Sequence, residues 1–289
     1  MTLIELVELS TARLEQAGVA FGHGTTNAFD EAVWLVLWQL GLPIDDLESV
    51  ADMAVSPQQQ DSAAELIEER ITSRKPAAYL TREAWLQGVP FYVDERAIVP
   101  RSFIGELLAD GTIDAWLTDN THRVLDLCTG NGSLAVLAAL TYPDVEVDGA
   151  DISREALEVA RINVDRHALQ DRVRLVESDG LSSLEGPYDL ILCNPPYVNA
   201  QSMAQLPDEY RAEPEVALAG GVDGMDFIRA MLRDAPSRMA ESGVLVLEVG
   251  NEREHFEAAF PALEVAWLET SAGEDQVLLI TRESLTARE

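Results

Sequence analysis

Four consecutive residues, Asn194, Pro195, Pro196 and Tyr197, follow directly on an apolar run, YDLILC (188–193), and their types suggest a chemistry. Each proline removes a backbone donor and fixes φ, and each biases the residue before it toward extended geometry. The resulting turn is stiff and leaves carbonyl oxygens without competing N–H groups. The Asn194 side chain adds an acceptor oxygen, and Tyr197 adds a planar face. Acceptors held still in this way suit a substrate carrying an NH2 group; a purely structural Pro-Pro turn is the alternative.

Three further stretches could hold a nucleotide-like ligand. In LDLCTGNGSLAV (125–136), Gly130 and Gly132 allow a sharp turn and a close approach of backbone to ligand, and the N–H groups of a helix start favour an anionic group. A tight strand-to-helix turn would need the same glycines. Asp151, in VDGADISREAL, stands roughly twenty residues past them, where an acidic side chain accepts from ribose hydroxyls; alone, it could cap a helix starting at Ser153 or Arg154. In VESDGL (176–181), Asp179 can accept from an adenine amino group while Gly180 keeps the loop close to the ring. A solvated loop aspartate is the plain alternative there.

These residues need strands and helices to bring them together. From residue 122 onward, strand patterns RVLDLC (123–128), VEVDGAD (145–151), RVRLVES (172–178), YDLILC (188–193), GVLVLEVG (243–250), LEVAWLE (263–269) and QVLLIT (276–281) alternate mostly with helical ones. The helices are SLAVLAALT, SREALEVARINVDRHA, GMDFIRAMLRDAPSRMA and EREHFEAAF. Strand–helix alternation predicts a parallel sheet covered on both faces, and ligands bind such sheets at the carboxyl ends of the strands. The short TSAGED connection predicts an antiparallel pairing of the last two strands. Up to residue 75 the periodicity is helical, with Leu3, Leu6, Val7 and Leu14 on one face and Asn27 as a cap for the helix bearing Trp34 and Trp38. The stretch 76–101 is β-prone and reads as a hairpin linker, and 102–117 reads as a helix capped by Ser102.

The composition is that of a folded chain: 289 residues, 47% hydrophobic and 25% charged. The charge is unusual, with 51 acidic against 20 basic residues, a net −31, and Lys75 as the single lysine. Nucleic acid phosphate is a poor partner for such a surface. A solvated acidic shell of the salt-adapted kind explains it, and it would also attract a basic protein. Cys128 and Cys193 both end apolar runs and read as small buried hydrophobes in a reducing, cytoplasmic compartment. The amphipathic start lacks the basic head and apolar centre of a signal peptide, and VWLVLWQLGL (33–42) is too short to span a membrane.

Taken together, NPPY after the fourth strand, with LDLCTGNG and DIS upstream, resembles the protein-glutamine methyltransferases that modify side-chain amides. YLTREAWLQGVPFYVDERAIVPRSFIGELL and NPPYVNAQSMAQLPDEYRAEPEVALAGGVDGMDF resemble the branch acting on large-subunit ribosomal protein three. The resemblance covers nearly the whole chain. It implies an α/β fold of the class I, Rossmann-like type, with a seven-stranded mostly parallel sheet in a catalytic domain at 102–289. A helical substrate-recognition domain at 1–75 and the β-hairpin linker at 76–101 would precede it. It implies S-adenosylmethionine as cofactor, with no metal, and that ribosomal protein as partner, without direct nucleic-acid or membrane binding. Asp126, Cys128, Thr129, Gly130, Asn131 and Gly132 would face the cofactor's methionine part. Asp151 would face its ribose, Asp179 with Gly180 its adenine, and Asn194, Pro195, Pro196 and Tyr197 the substrate glutamine, with Ile152 and Asn194 also against the cofactor.

The chain departs from the family pattern twice. Cys128 occupies a position where many methyltransferases have glycine, which implies that the position does not require a positive φ, and Phe103 stands where a proline is expected. Release-factor methylation shares all this chemistry. A DNA adenine methyltransferase uses a similar corner on a flipped base, but the charge speaks against it. A binding module that had lost catalysis would show a broken glycine loop or a broken NPPY, and both are intact.

Overall fold

A computed structural model describes residues 1–287. In chain order its elements are α1 (Leu3–Ala17), α2 (Ala28–Gln39), α3 (Leu47–Val50), α4 (Pro57–Ser73), α5 (Ala77–Thr81), β1 (Ala84–Leu86), β2 (Val89–Phe91) and α6 (Ile104–Ala109). Then follow β3 (Arg123–Leu127), α7 (Ser133–Thr141), β4 (Glu146–Asp151), α8 (Arg154–Arg166), β5 (Val173–Glu177), β6 (Tyr188–Cys193), α9 (Ala200–Met203) and α10 (Asp208–Arg211). The chain continues through α11 (Asp226–Asp234), β7 (Met239–Glu248), α12 (Arg253–Ala259), β8 (Ala266–Thr270), β9 (Gly273–Thr281) and α13 (Arg282–Thr286). None of the described helices is long and apolar enough to cross a membrane.

Two compact units result: Met1–Ala84 with Leu206–Glu213, and Trp85–Gln205 with Pro214–Glu289. In the first, local signals start the helices. Thr2 and Glu5 form a capping box on α1, Asn27 Oδ1 accepts from Asp30 N at 2.9 Å at the start of α2, and Ser56 with Gln59 caps α4. Leu3, Leu6, Val7 and Leu14 of α1 are buried, as their spacing predicts. The segment Leu206–Glu213 joins this unit through charge. Arg70, fully buried, donates to Glu31 (2.8 Å) and Glu209 (3.4 Å), and Glu209 also accepts from Arg74 (3.3 Å) and from Ala20 N (3.0 Å). Nothing in the sequence signals this inclusion, because the partners are over a hundred residues apart.

The second unit carries a seven-stranded sheet in the order β5-β4-β3-β6-β7-β9-β8. Neighbours from β5 to β7 are parallel, and β9 runs antiparallel to both β7 and β8. The period of two along each strand divides the core. Val124, Leu190 and Leu192 pack on one face with residues of α6, α7 and α8, while Leu125, Leu127, Ile191 and Cys193 pack on the other with residues of α11 and α12. Fully burying such a side chain contributes about 1.5–3 kcal/mol.

The predicted helix over 102–117 is shorter than its periodicity suggests. It stops at Ala109, Gly111 turns at φ 73°, and a 3-10 turn over Thr112–Trp116 follows. Ser102 stands two residues before α6; its hydroxyl accepts from Ile104 N at 3.2 Å and donates to Glu248, so it serves this helix start while engaged elsewhere.

Candidate active site

The chain runs from β3 through β4 to β5 on one side of the sheet, then returns to place β6 on the other side of β3. The reversal opens a crevice at the carboxyl ends of β3 and β6, the usual ligand position in an open α/β sheet. Leu127 pairs with Cys193, so Cys128 and Asn194 leave adjacent strands at the same level. A cavity of about 250 Å³ lies there.

Eight of the sequence-predicted residues line it: Cys128, Gly130, Asp151, Ile152, Asp179, Gly180, Asn194 and Pro196. Asp126, Thr129, Asn131, Gly132, Pro195 and Tyr197 do not. Four of those six belong to the glycine loop or the end of β3 before it and brace the loop. Asp126 Oδ2 accepts from Thr129 Oγ1 at 2.5 Å and from Ala135 N at 2.8 Å, Asn131 Oδ1 accepts from Ser133 N, and a Cβ on Gly132 would stand 3.0 Å from that of Ala160. Burial pushes the Asp126 carboxyl up to about 7, against those two hydrogen bonds. Asp126 Oδ1 and Asn131 Nδ2 are buried with no hydrogen-bond partner among the described residues.

The expectation that Cys128 avoids a positive φ is wrong: its φ is 63°. Left-handed backbone at Cys128, Gly130 (56°) and Gly132 (80°) curls the loop so that Thr129 N reaches Ala150 O and Gly132 N reaches Thr129 O. A side chain in that region costs roughly 1–2 kcal/mol, and the turn's hydrogen bonds offset it. The hydrogen-bonded neighbouring Cys193 thiol and burial raise the Cys128 thiol well above its ordinary value.

Asp151 ends β4 with both carboxylate oxygens engaged, accepting from Gly130 N and Ser153 N at 2.9 Å each. Burial raises its carboxyl above the ordinary value, and the backbone donors oppose that rise. Ser153, not Asp151, caps α8: its Oγ accepts from Ala156 N at 3.1 Å. Gly180 (φ 51°) passes Phe227, whose ring lies 3.9 Å from the place of a Cβ.

The rest of the wall was not legible in the sequence. Arg96, Ala97 and Ile98 come from the segment after β2, Ser178 precedes Asp179, and Phe227 comes from α11.

At the NPPY corner the Asn194 side-chain amide has no hydrogen-bond partner among the described residues, nor has the Pro195 carbonyl. Tyr197 is held: its hydroxyl donates to Glu248 Oε1 at 3.3 Å, and its ring packs against Gly250.

The wall fits S-adenosylmethionine. Apolar Leu127, Ala150, Ile152, Ala156 and Phe227 offer a surface for a flat ring, Asp151 offers acceptors for hydroxyls, and no atom lies within 4 Å of where a Gly130 side chain would project. Sheet order, glycine loop, strand-end acids and crevice define a class I methyltransferase that uses S-adenosylmethionine.

Comparison with known proteins agrees. Residues 111–208 match the methyltransferase small domain family. The catalytic domain of hMettl16, solved with the MAT2A 3'UTR hairpin 6, shares this fold at a TM-score of 0.52 and 13% identity, over 78% of this chain and 81% of that one. The ribosomal protein uL3 glutamine methyltransferase of Bordetella pertussis is 53% identical over 98% of this chain and 96% of its own. That of Burkholderia pseudomallei is 52% identical over 99% and 96%. The chain belongs to the family of ribosomal protein uL3 glutamine methyltransferases.

Proposed function

We propose that this chain methylates the side-chain amide nitrogen of a glutamine in ribosomal protein uL3, with Asn194 and Pro195 as the amide-binding acceptors. The observation that carries the roles is the idle hydrogen-bonding capacity of Asn194, which lines the cavity, and of the Pro195 carbonyl that follows it in the chain. The names of the relatives support the substrate.

Cys128 to Gly132, Asp151 with Ile152, and Asp179 with Gly180 would hold the methionine, ribose and adenine parts of the cofactor. Bound there, S-adenosylmethionine supplies an electrophilic methyl group. An amide nitrogen is a poor nucleophile because its lone pair is delocalised into the carbonyl. Asn194 Oδ1 and the Pro195 oxygen would accept the two amide hydrogens, orient the nitrogen and stabilise the positive charge it acquires. Neither acceptor removes a proton beforehand; the nitrogen, cationic once methylated, releases one of its hydrogens as a proton to solvent afterwards. Tyr197 would frame the substrate side of the corner. Residues 1–75 would recognise the protein substrate, and the acidic surface favours a basic one.

The test supplies labelled cofactor to the enzyme with purified uL3 and, in parallel, with peptide chain release factor, each from cells lacking the modification. Label on uL3 alone is expected. Label on the release factor alone would reassign the substrate while leaving the chemistry intact.

A further inference from the structure

The end of β7 and the turn after it touch the chain that leaves the NPPY corner at successive points. Glu248 accepts from the Tyr197 hydroxyl, Gly250 (φ 53°) lies under the Tyr197 ring, 2.5 Å from a ring carbon to the place of its Cβ, and Glu252 accepts from Asn199 Nδ2 at 2.6 Å. Glu248 is only 2% exposed. Its other oxygen accepts from Ser102 Oγ (2.6 Å) and Phe103 N (3.0 Å), so neutral donors, with no cation among them, hold this carboxylate. Burial pushes the group up to about 7 against these hydrogen bonds. A buried carboxylate is costly unless it is well bonded, and this one is bonded where the Ser102–Phe103 turn and the acceptor corner come together. The departure at residue 103 contributes directly: a proline there would have no N–H to give.

The geometry points to Glu248 as a positioning residue for methyl transfer, fixing Tyr197 and with it the tilt of the Asn194–Pro195–Pro196 unit. This rests on reading that unit as the amide-binding site. Two prolines make it stiff, since φ is fixed at both and ψ of Asn194 and Pro195 is confined by the proline that follows. Strand β6 holds one end. φ of Asn194 at the strand end and ψ of Pro196 at the far end carry no such restraint, so the stiff unit can tilt between them, and anchoring Tyr197 limits that tilt and with it the direction of the Pro195 oxygen. A displacement of about 1 Å at reacting groups can lower a rate about 100-fold.

Amide hydrogen exchange reads this support without any substrate. Glu248→Leu is expected to accelerate exchange over 197–203 about tenfold or more while leaving β4 unchanged. In turnover, the same variant should lose about tenfold or more in kcat, with the KM for S-adenosylmethionine within about threefold of wild type. Glu248→Gln should recover most of that loss, because its oxygen can face Phe103 N and its NH2 can donate to the Tyr197 oxygen. If Glu248→Leu fails to fold, Tyr197→Phe removes only the hydroxyl and is read the same way. Unchanged exchange over 197–203, or a Gln variant as impaired as the Leu variant, would overturn the inference. A wild-type enzyme that fails to label uL3 would overturn the substrate reading instead, and exchange would still decide the role of Glu248.

Discussion

The loop at 128–132 and the corner at 194–197 leave neighbouring parallel strands at one level, yet they are stiffened by opposite means. The glycine loop turns inward on itself. Its left-handed residues, the Asp126 carboxyl and the Asn163 amide, which donates to Asn131 O at 2.8 Å, engage most of its backbone and shape a seat. The NPPY corner spends almost nothing on itself. Proline rings restrict its torsions, residues over fifty positions away in sequence brace its far end, and its acceptors stay idle. The difference matches the role proposed for each: a cofactor is bound by shape and a few fixed contacts, whereas a reacting amide needs acceptors with nothing else to bind.

If that contrast holds, damage to the two sites should separate in kinetics. Asn194→Ala is expected to have the largest effect, a fall in kcat of about 100- to 1,000-fold, with S-adenosylhomocysteine affinity by calorimetry changed less than about threefold. Near-normal turnover would show that the idle amide is not the acceptor. Asp151→Ala should do the reverse, weakening cofactor affinity about 10- to 100-fold while kcat at saturating cofactor falls much less. Equal losses in both parameters would erase the distinction.

A third expectation concerns the cost of closing the glycine loop around a buried acid. The folded protein keeps a proton on Asp126 up to about pH 7, which the unfolded chain releases near the ordinary 3.8. The folded state therefore binds more protons between these values, and the stability so gained is fully present below the unfolded pKa and lost as pH rises through the folded one. Its slope is up to about 1.4 kcal/mol per pH unit. Urea unfolding of Asp126→Asn across that window should show a flatter pH profile than wild type, and an identical profile would refute the assignment. The smallest effect belongs to Cys128→Gly. Relief of the left-handed backbone should raise the melting temperature by about 1–4 °C, and a clear fall would show that the thiol's packing outweighs the strain.

The same contrast explains what could be read from sequence. The seven strands declared themselves because each is a short apolar run flanked by turn residues, and the strand-end acids because they sit at fixed distances from the glycines. The glycine loop was legible because Gly130 and Gly132 directly follow a strand pattern and open a helical one. The φ of Cys128 was misread, since residue type speaks for glycine at such a position and only the tertiary turn showed otherwise. Glu248 gave no signal: inside an apolar β7 it looked like one more acid in a chain of 51, and its partners Ser102 and Tyr197 are 146 and 51 residues distant. Arg96 and Phe227 entered the cavity wall for the same reason, by folding of remote segments against the sheet.

The placement of Leu206–Glu213 bears on how the gene could have been assembled. Those eight residues interrupt the coding sequence of the catalytic unit but fold with the helical one, where Glu209 takes hydrogen bonds from Arg70 and Arg74. A recombination event exchanging residues 1–84 for another helical module would leave this small insert behind. The incoming module would need its own buried arginine to receive it. The two units are therefore poorly suited to being shuffled, and change in the helical one is more accessible through point substitutions on the existing helices than through module exchange.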